Sequence, residues 1–207
     1  MAKPTGQSAT VSPDAASRPE RFMRSALAIL GETGRTDFTV LEVVERSKTS
    51  LRSFYQHFST KDELLLALIE RIMTESTRHW RAETLNRRAS EALRTLIERI
   101  CVPPDSDTQD RVNRGLTSYN DRLADAVPRE YAKVLAPVHT LIADIIRRGI
   151  AEGDFRADID VDVTSALIMQ TALGAMRVRA LGAELSGNAI DAGHIYQFCA
   201  RAVAADT

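Results

Sequence analysis

The sequence predicts an all-α fold of about nine helices, and three observations carry that reading. Apolar side chains recur at i, i+3, i+4 and i+7 along most of the chain, the period of a helix with one buried face. Two Ser/Thr-x-x-Glu capping boxes, Ser17-Glu20 and Thr60-Glu63, stand just ahead of apolar runs and mark helix starts. No stretch alternates apolar and polar residues as a half-buried strand would, and neither a glycine-rich hairpin turn nor an internal repeat interrupts the helical period.

Residues 1–17 are mostly Ser, Thr, Pro, Ala and Gly, a composition too poor in large apolar side chains to fold, so they predict a disordered tail. With Lys3, Arg18 and Arg21 such an arm could reach a minor groove, although an inert tail is the simpler account. The first helix follows Ser17 with Pro19 in its first turn, buries Met23, Ala26, Leu27 and Leu30, and ends at Gly34. Val40, Val43 and Val44 then give a short helix over 40–46. Phe54 and Phe58 give another over 50–56, beyond the polar break Ser47-Lys48-Thr49. That spacing is a helix-turn-helix.

Thr60 opens a longer helix through Leu64, Leu65, Leu68, Ile69 and Ile72 towards Trp80. The chain therefore divides into a tail (1–17), a helix-turn-helix domain (18–64) and a larger helical domain (65–207). In the last, Leu93, Leu96, Ile97 and Ile100 form a helix stopped by Pro103-Pro104. A polar connection at 105–110 precedes a helix with Val112, Leu116 and Tyr119. Pro128 then opens a helix through Val134, Val138, Leu141 and Ile145, kinked at Pro137 and ended by Gly149 and Gly153. The last two helices, 161–181 and 189–203, carry wide apolar stripes edged with small residues, a pattern for close helix-on-helix contact.

Composition removes several functional classes. At 207 residues, 44% hydrophobic and 27% charged, the chain is an ordinary soluble one, with no run able to span a membrane and no secretory h-region, so a cytoplasmic protein is expected. Cys101 and Cys199 lack metal-ligand spacing and read as buried free thiols. Asp158, Asp160 and Asp162 imitate a calcium loop, but Val163 stands where the loop needs Gly, so they read as a solvated helix start. His79, His139 and His194 have no partner at i+4. Walker, dinucleotide, zinc-protease and nucleophile-elbow motifs are absent, so the sequence supports no metal, no cofactor and no catalysis.

The net charge of −1 argues against indiscriminate coating of nucleic acid. From Arg46 to Lys61, however, the chain carries four basic residues (Arg46, Lys48, Arg52, Lys61), one His and no carboxylate. Interleaved with Ser, Thr and Tyr, this cationic patch suits phosphates while leaving side chains for base edges.

The same stretch resembles the DNA-binding segment of the tetracycline-repressor (TetR) family of bacterial transcriptional regulators. The resemblance rests on Thr39, Ser50, Ser53, Phe54, Tyr55, His57, Phe58, Thr60, Lys61 and Leu64, in the family's order and spacing. It implies that Thr39, Tyr55, His57 and Lys61 contact phosphates or groove edges, while Leu51, Arg52 and Ser53 face bases. Lys48 and Ser50 complete the expected DNA-binding set. Helix-turn-helix geometry supports this independently, since the start of the second helix enters the major groove and Arg52 suits a guanine edge. Two positions depart from the family. Lys48 stands where Gly is frequent, which costs about 1 kcal/mol if the left-handed turn is kept, and Val44 replaces a small Ala.

The resemblance also implies a cavity in the helical domain for a small, largely apolar effector. The candidates to line it are Trp80, Tyr119, Tyr131, His139, Met169 and Met176. Arg177 and Arg179 read as solvated charges, with attraction of an anionic ligand as the other reading. A single recognition helix gives too little affinity, so the expectation is a homodimer, joined through the last two helices, on a pseudo-palindromic double-stranded operator. The expected function is a ligand-responsive regulator, a repressor released by its effector. The alternatives are a small-molecule carrier or enzyme on the same scaffold, or a module that docks a protein.

Overall fold

The computed structural model describes residues 17–183 and 190–205. The expected tail, apart from Ser17, and Ala189, the expected start of the last helix, lie outside the described residues. Among those residues the chain forms α1 (Arg18–Thr33), α2 (Val40–Arg46), α3 (Leu51–Tyr55), α4 (Lys61–Thr84), α5 (Ala89–Ile100), α6 (Asp107–Ala126), α7 (Pro128–Glu152), α8 (Val161–Leu181) and α9 (Ala192–Val203). The only pairing of extended backbone there is one antiparallel bridge between Phe155 and Ala204. The fold is all-α.

Local chemistry sets the ends of these helices. Ser17 and Glu20 form the expected reciprocal cap of α1, and Thr39 and Glu42 form another at α2. At α4 the box closes by half: Thr60 Oγ1 accepts from the Glu63 amide at 3.1 Å, but the Glu63 carboxylate turns to the Ser59 amide instead. Helix α6 starts inside the expected 105–110 connection, because Ser106 Oγ accepts from the Gln109 amide at 3.2 Å and so caps Asp107 onward. Helix α7 runs through Pro137 and Gly149 and ends only at Gly153, whose φ of 76° makes the left-handed cap. Gly149 is a packing position, because a Cβ there would overlap the Phe155 ring.

Two apolar clusters fill the molecule. One joins α5, α7, α8 and α9 through Leu93, Leu96, Ile142, Ile145, Ile168 and Ile195, and it buries the free thiols of Cys101 and Cys199. Burial raises both thiol pKa values, Cys199 to about 11, which keeps them protonated and unreactive. The other cluster joins α1–α4 to Val112, Tyr119 and Leu123 of α6 and Val134 of α7. Packing is therefore continuous past residue 64, and α6 lies against the helix-turn-helix. At Gly115, α6 comes so close to α1 that a Cβ would sit 2.8 Å from Leu30 Cδ2 and 3.2 Å from the Gly34 carbonyl. Arg111 Nε donates to the Gly31 carbonyl at 2.6 Å beside it.

Candidate functional site

Helix α3 has five residues, too few to persist alone, so tertiary anchoring must hold it. Phe54 supplies the anchor. Fully buried, it meets Phe22 of α1 edge-on with ring centroids 5.3 Å apart and Phe58 at 5.7 Å. Burial of such a ring contributes about 1.5–3 kcal/mol, and each aromatic pair about 0.5–1.5 kcal/mol more. With that face fixed, the opposite side of α3 is presented outward. Leu51 (43% exposed), Arg52 and Tyr55 (58% exposed) stand on it, with Ser50 at its start and His57 just beyond its end.

Ser53 does not join them. It is buried, and its hydroxyl accepts from Arg18 Nη1 at 3.3 Å, so it braces α3 on α1 instead of facing bases. Arg18 and Arg21 likewise belong to α1 and not to a reaching arm. Arg21 Nη2 donates to the Ser47 carbonyl at 2.5 Å, holding the turn between α2 and α3. In that turn Lys48 has φ 52°, so the left-handed turn is kept although the residue is not glycine.

The cations of this segment divide into two kinds. Arg46 makes a bidentate pair with Glu32 of α1. Lys61 Nζ donates to the Thr36 and Phe38 carbonyls at 2.7 and 3.0 Å and lies over the Phe38 ring, and partial burial lowers its pKa. Both tie the domain together. Lys48 and Arg52 are exposed and form no ion pair among the described residues, which leaves them as the outward charges of the turn and of α3. Thr39 is exposed, but its hydroxyl is engaged with Glu42, donating to the carboxylate at 2.8 Å. The Thr39 amide, which also donates to that carboxylate, and then the hydroxyl hold the Glu42 carboxyl below its usual pKa.

Behind this head, α4, α6, α7 and α8 enclose a cavity of about 370 Å³. Of the six residues expected to line it, Tyr131 and Met176 do. Trp80 packs against the α5–α9 core, and Met169 is buried in it. His139 Nε2 sits 3.0 Å from the Asp162 carbonyl. Tyr119 is buried with its hydroxyl donating to Asp62 at the head of α4, where Arg122 also binds. Burial and that bond push the Tyr119 pKa up to about 12. These four residues serve the scaffold.

The remaining lining includes Ile69, Ile72 and Leu173, with a polar stripe of α6, Asn113, Thr117 and Asn120, and the rim pair Asp121 and Arg177. The signal for the stripe is the i, i+4, i+7 spacing of 113, 117 and 120, which reads in sequence as a solvated helix face. Arg179 instead caps backbone, donating to the Cys101 and Ile190 carbonyls at 2.7 and 3.0 Å. Leu167 of α8 and Phe198 of α9 are 64% and 68% exposed.

Residues 22–68 match the family described as "Bacterial regulatory proteins, tetR family". The N-terminal domain is a tetR-family domain. Over 168 residues, 77% of this chain and 78% of the relative, the chain is 24% identical to the HTH-type transcriptional repressor KstR2 of Rhodococcus jostii (strain RHA1). Its fold is similar to that of FadR from Bacillus subtilis solved with stearoyl-CoA, with a TM-score of 0.64, 14% identity, and 88% of this chain and 95% of that chain covered. It is also similar to a putative transcriptional regulator from Saccharomonospora viridis solved with choline, with a TM-score of 0.69, 18% identity and 91% and 98% covered. At such identities the likeness is one of fold, and the unlike ligands of the two neighbours show that the scaffold does not dictate the guest. The tetR-family head of this chain is thus joined to a cavity-bearing helical body. No helix among the described residues is long and apolar enough to cross a membrane.

Proposed function

We propose that this tetR-family regulator is a cytoplasmic homodimeric repressor that holds a pseudo-palindromic operator through α3 and its turn and releases it when a small, largely apolar effector fills the cavity. One observation carries the reading: α6 lines the cavity with Asn113, Thr117 and Asn120 while Val112, Gly115 and Tyr119 of the same helix pack against the helix-turn-helix. An effector that favours one position of α6 over another therefore changes the population of DNA-competent heads by its differential affinity alone.

The exposed Leu167 and Phe198 support a dimer through α8 and α9, which would set two recognition helices about 34 Å apart, or a multiple of that, on one face of the duplex. Arg52 is the residue assigned to a base edge and Lys48 to phosphate.

Selection of bound duplexes from a random pool, followed by titration at several salt concentrations, tests this. Arg52→Ala should lose about 1–3 kcal/mol at one base position of each half-site and relax the preference there. Lys48→Ala should weaken all duplexes alike and flatten the salt dependence by about one unit per half-site. A pool that yields no enriched motif would end the regulator reading.

A further inference from the structure

The outward face of α3 carries one side chain that neither its cations nor its cap accounts for. Ser53 and Phe54 are buried, the Tyr55 ring leans edge-on against Phe54 with centroids 5.4 Å apart, and Ser50 Oγ accepts from the Ser53 amide at 3.1 Å. That leaves Leu51 as the aliphatic group of this face, exposed and outside both apolar clusters. A single exposed leucine is ordinary on most surfaces. This one stands beside Arg52 and three residues after Lys48, exposed cations that form no ion pair among the described residues, in a stretch with no carboxylate from 46 to 61. A partner that covers Leu51 must therefore bring negative charge and an apolar group to the same place.

We propose that Leu51 reads the C5 methyl of a thymine in each half-site of the operator, at a base pair other than the one met by Arg52. This rests on the reading of α3 as the helix that enters the major groove. There the phosphates supply the charge, and the thymine methyl is the apolar group that the base edges display. Leucine has neither donor nor acceptor, so what it gains from a base edge is apolar area removed from water. Against the amino and carbonyl edges of the other bases it would strip water from polar atoms and return no hydrogen bond, which disfavours them. Successive side chains of a helix point about 100° apart, so Leu51 and Arg52 meet different base pairs, an aliphatic reader beside a charged one.

The test takes the duplex that the full chain selects from a random pool and replaces its thymines one at a time with deoxyuridine, which removes the methyl and keeps the pairing and the hydrogen-bonding edges. At one thymine of each half-site the replacement should weaken binding about fourfold, the worth of one methyl taken out of water, and elsewhere it should change little. Leu51→Ala should bind the thymine and deoxyuridine duplexes alike. Its fold is not at risk, because the side chain is exposed and alanine favours a helix. Arg52→Ala should lose affinity for both duplexes yet keep the thymine preference, which separates the two readers. A Leu51→Ala variant that keeps the preference overturns the proposal, as does an Arg52→Ala variant that abolishes it. If no duplex is enriched, the regulator reading falls and takes this inference with it. An enriched duplex indifferent to the loss of every thymine methyl sinks this inference alone.

Discussion

Lys48 offers the sharpest test of the turn that aims α3. Its φ of 52° places a side chain with a Cβ in the left-handed region, at about 1–2 kcal/mol over the right-handed alternative. Replacing it with Gly removes that strain but returns conformational freedom to the unfolded chain, worth about 0.4–1 kcal/mol. Lys48→Gly should therefore gain about 0.5–1 kcal/mol net, a rise in Tm of about 1–4 °C for a chain of this size. Lys48→Ala is the control, because it keeps the Cβ and the strain while removing the same charge, and its stability should stay near the parent's. Urea unfolding at one fixed protein concentration measures both. On the proposed role of Lys48 at phosphate, operator affinity should fall equally in the two variants, since each would lose one phosphate contact per half-site. If Lys48→Gly were no more stable than Lys48→Ala, or if it lost more DNA affinity, the argument that the backbone here is strained and yet retained would be refuted.

Gly115→Ala should destabilise the chain by about 1–3 kcal/mol and weaken operator binding, because its Cβ would stand 2.8 Å from Leu30 Cδ2 and push α6 off α1; thermal melting and a DNA titration read the two effects. Tyr119 keeps its proton in the folded state up to about pH 12, whereas an unfolded tyrosine loses it near 10. Stability should therefore decline as pH rises across that interval, and Tyr119→Phe should flatten the decline in alkaline unfolding curves. Combining Leu167→Glu with Phe198→Glu should convert the protein to monomers in sedimentation without altering its helical content. Both side chains are more than half exposed in the single chain, and burying each in a dimer is worth about 1.5–3 kcal/mol. A double variant that remains dimeric would move the interface elsewhere.

Features set by neighbours in sequence were the most legible. The bounds of α2 and α8 and the cap at Ser17 follow from residues a few positions apart, and the structure has them as expected. What depends on distant partners was read less well. Ser53 and Lys61 fit a DNA-contacting pattern, yet Arg18 claims one and the Thr36 and Phe38 carbonyls claim the other, and nothing within a few residues signals either pairing. The cavity shows the same division. Large amphipathic side chains such as Trp80 and Tyr119 were natural candidates, but large side chains also fill cores and clamp helices. Asn113, Thr117 and Asn120 looked like an ordinary wet face until α4, α7 and α8 were seen to cover it. The start of α6 is hidden for a similar reason: a polar stretch with one good cap, Ser106, reads in sequence as a connection.

Helix α6 also constrains how this protein can change. Its two faces interleave residue by residue, 113, 117 and 120 toward the cavity and 112, 115, 119 and 123 toward the head, with 116 between them. On the proposed function, substitutions at 113, 117 and 120 would retune what the cavity takes while the joint to the head stays intact, whereas Leu116 touches both sides. An insertion or deletion of one residue rotates the rod by about a quarter-turn, exchanges parts of the two sets, and ruins detection and response together. If the chain works as proposed, its drift should accordingly accumulate as replacements along this helix and leave its length alone.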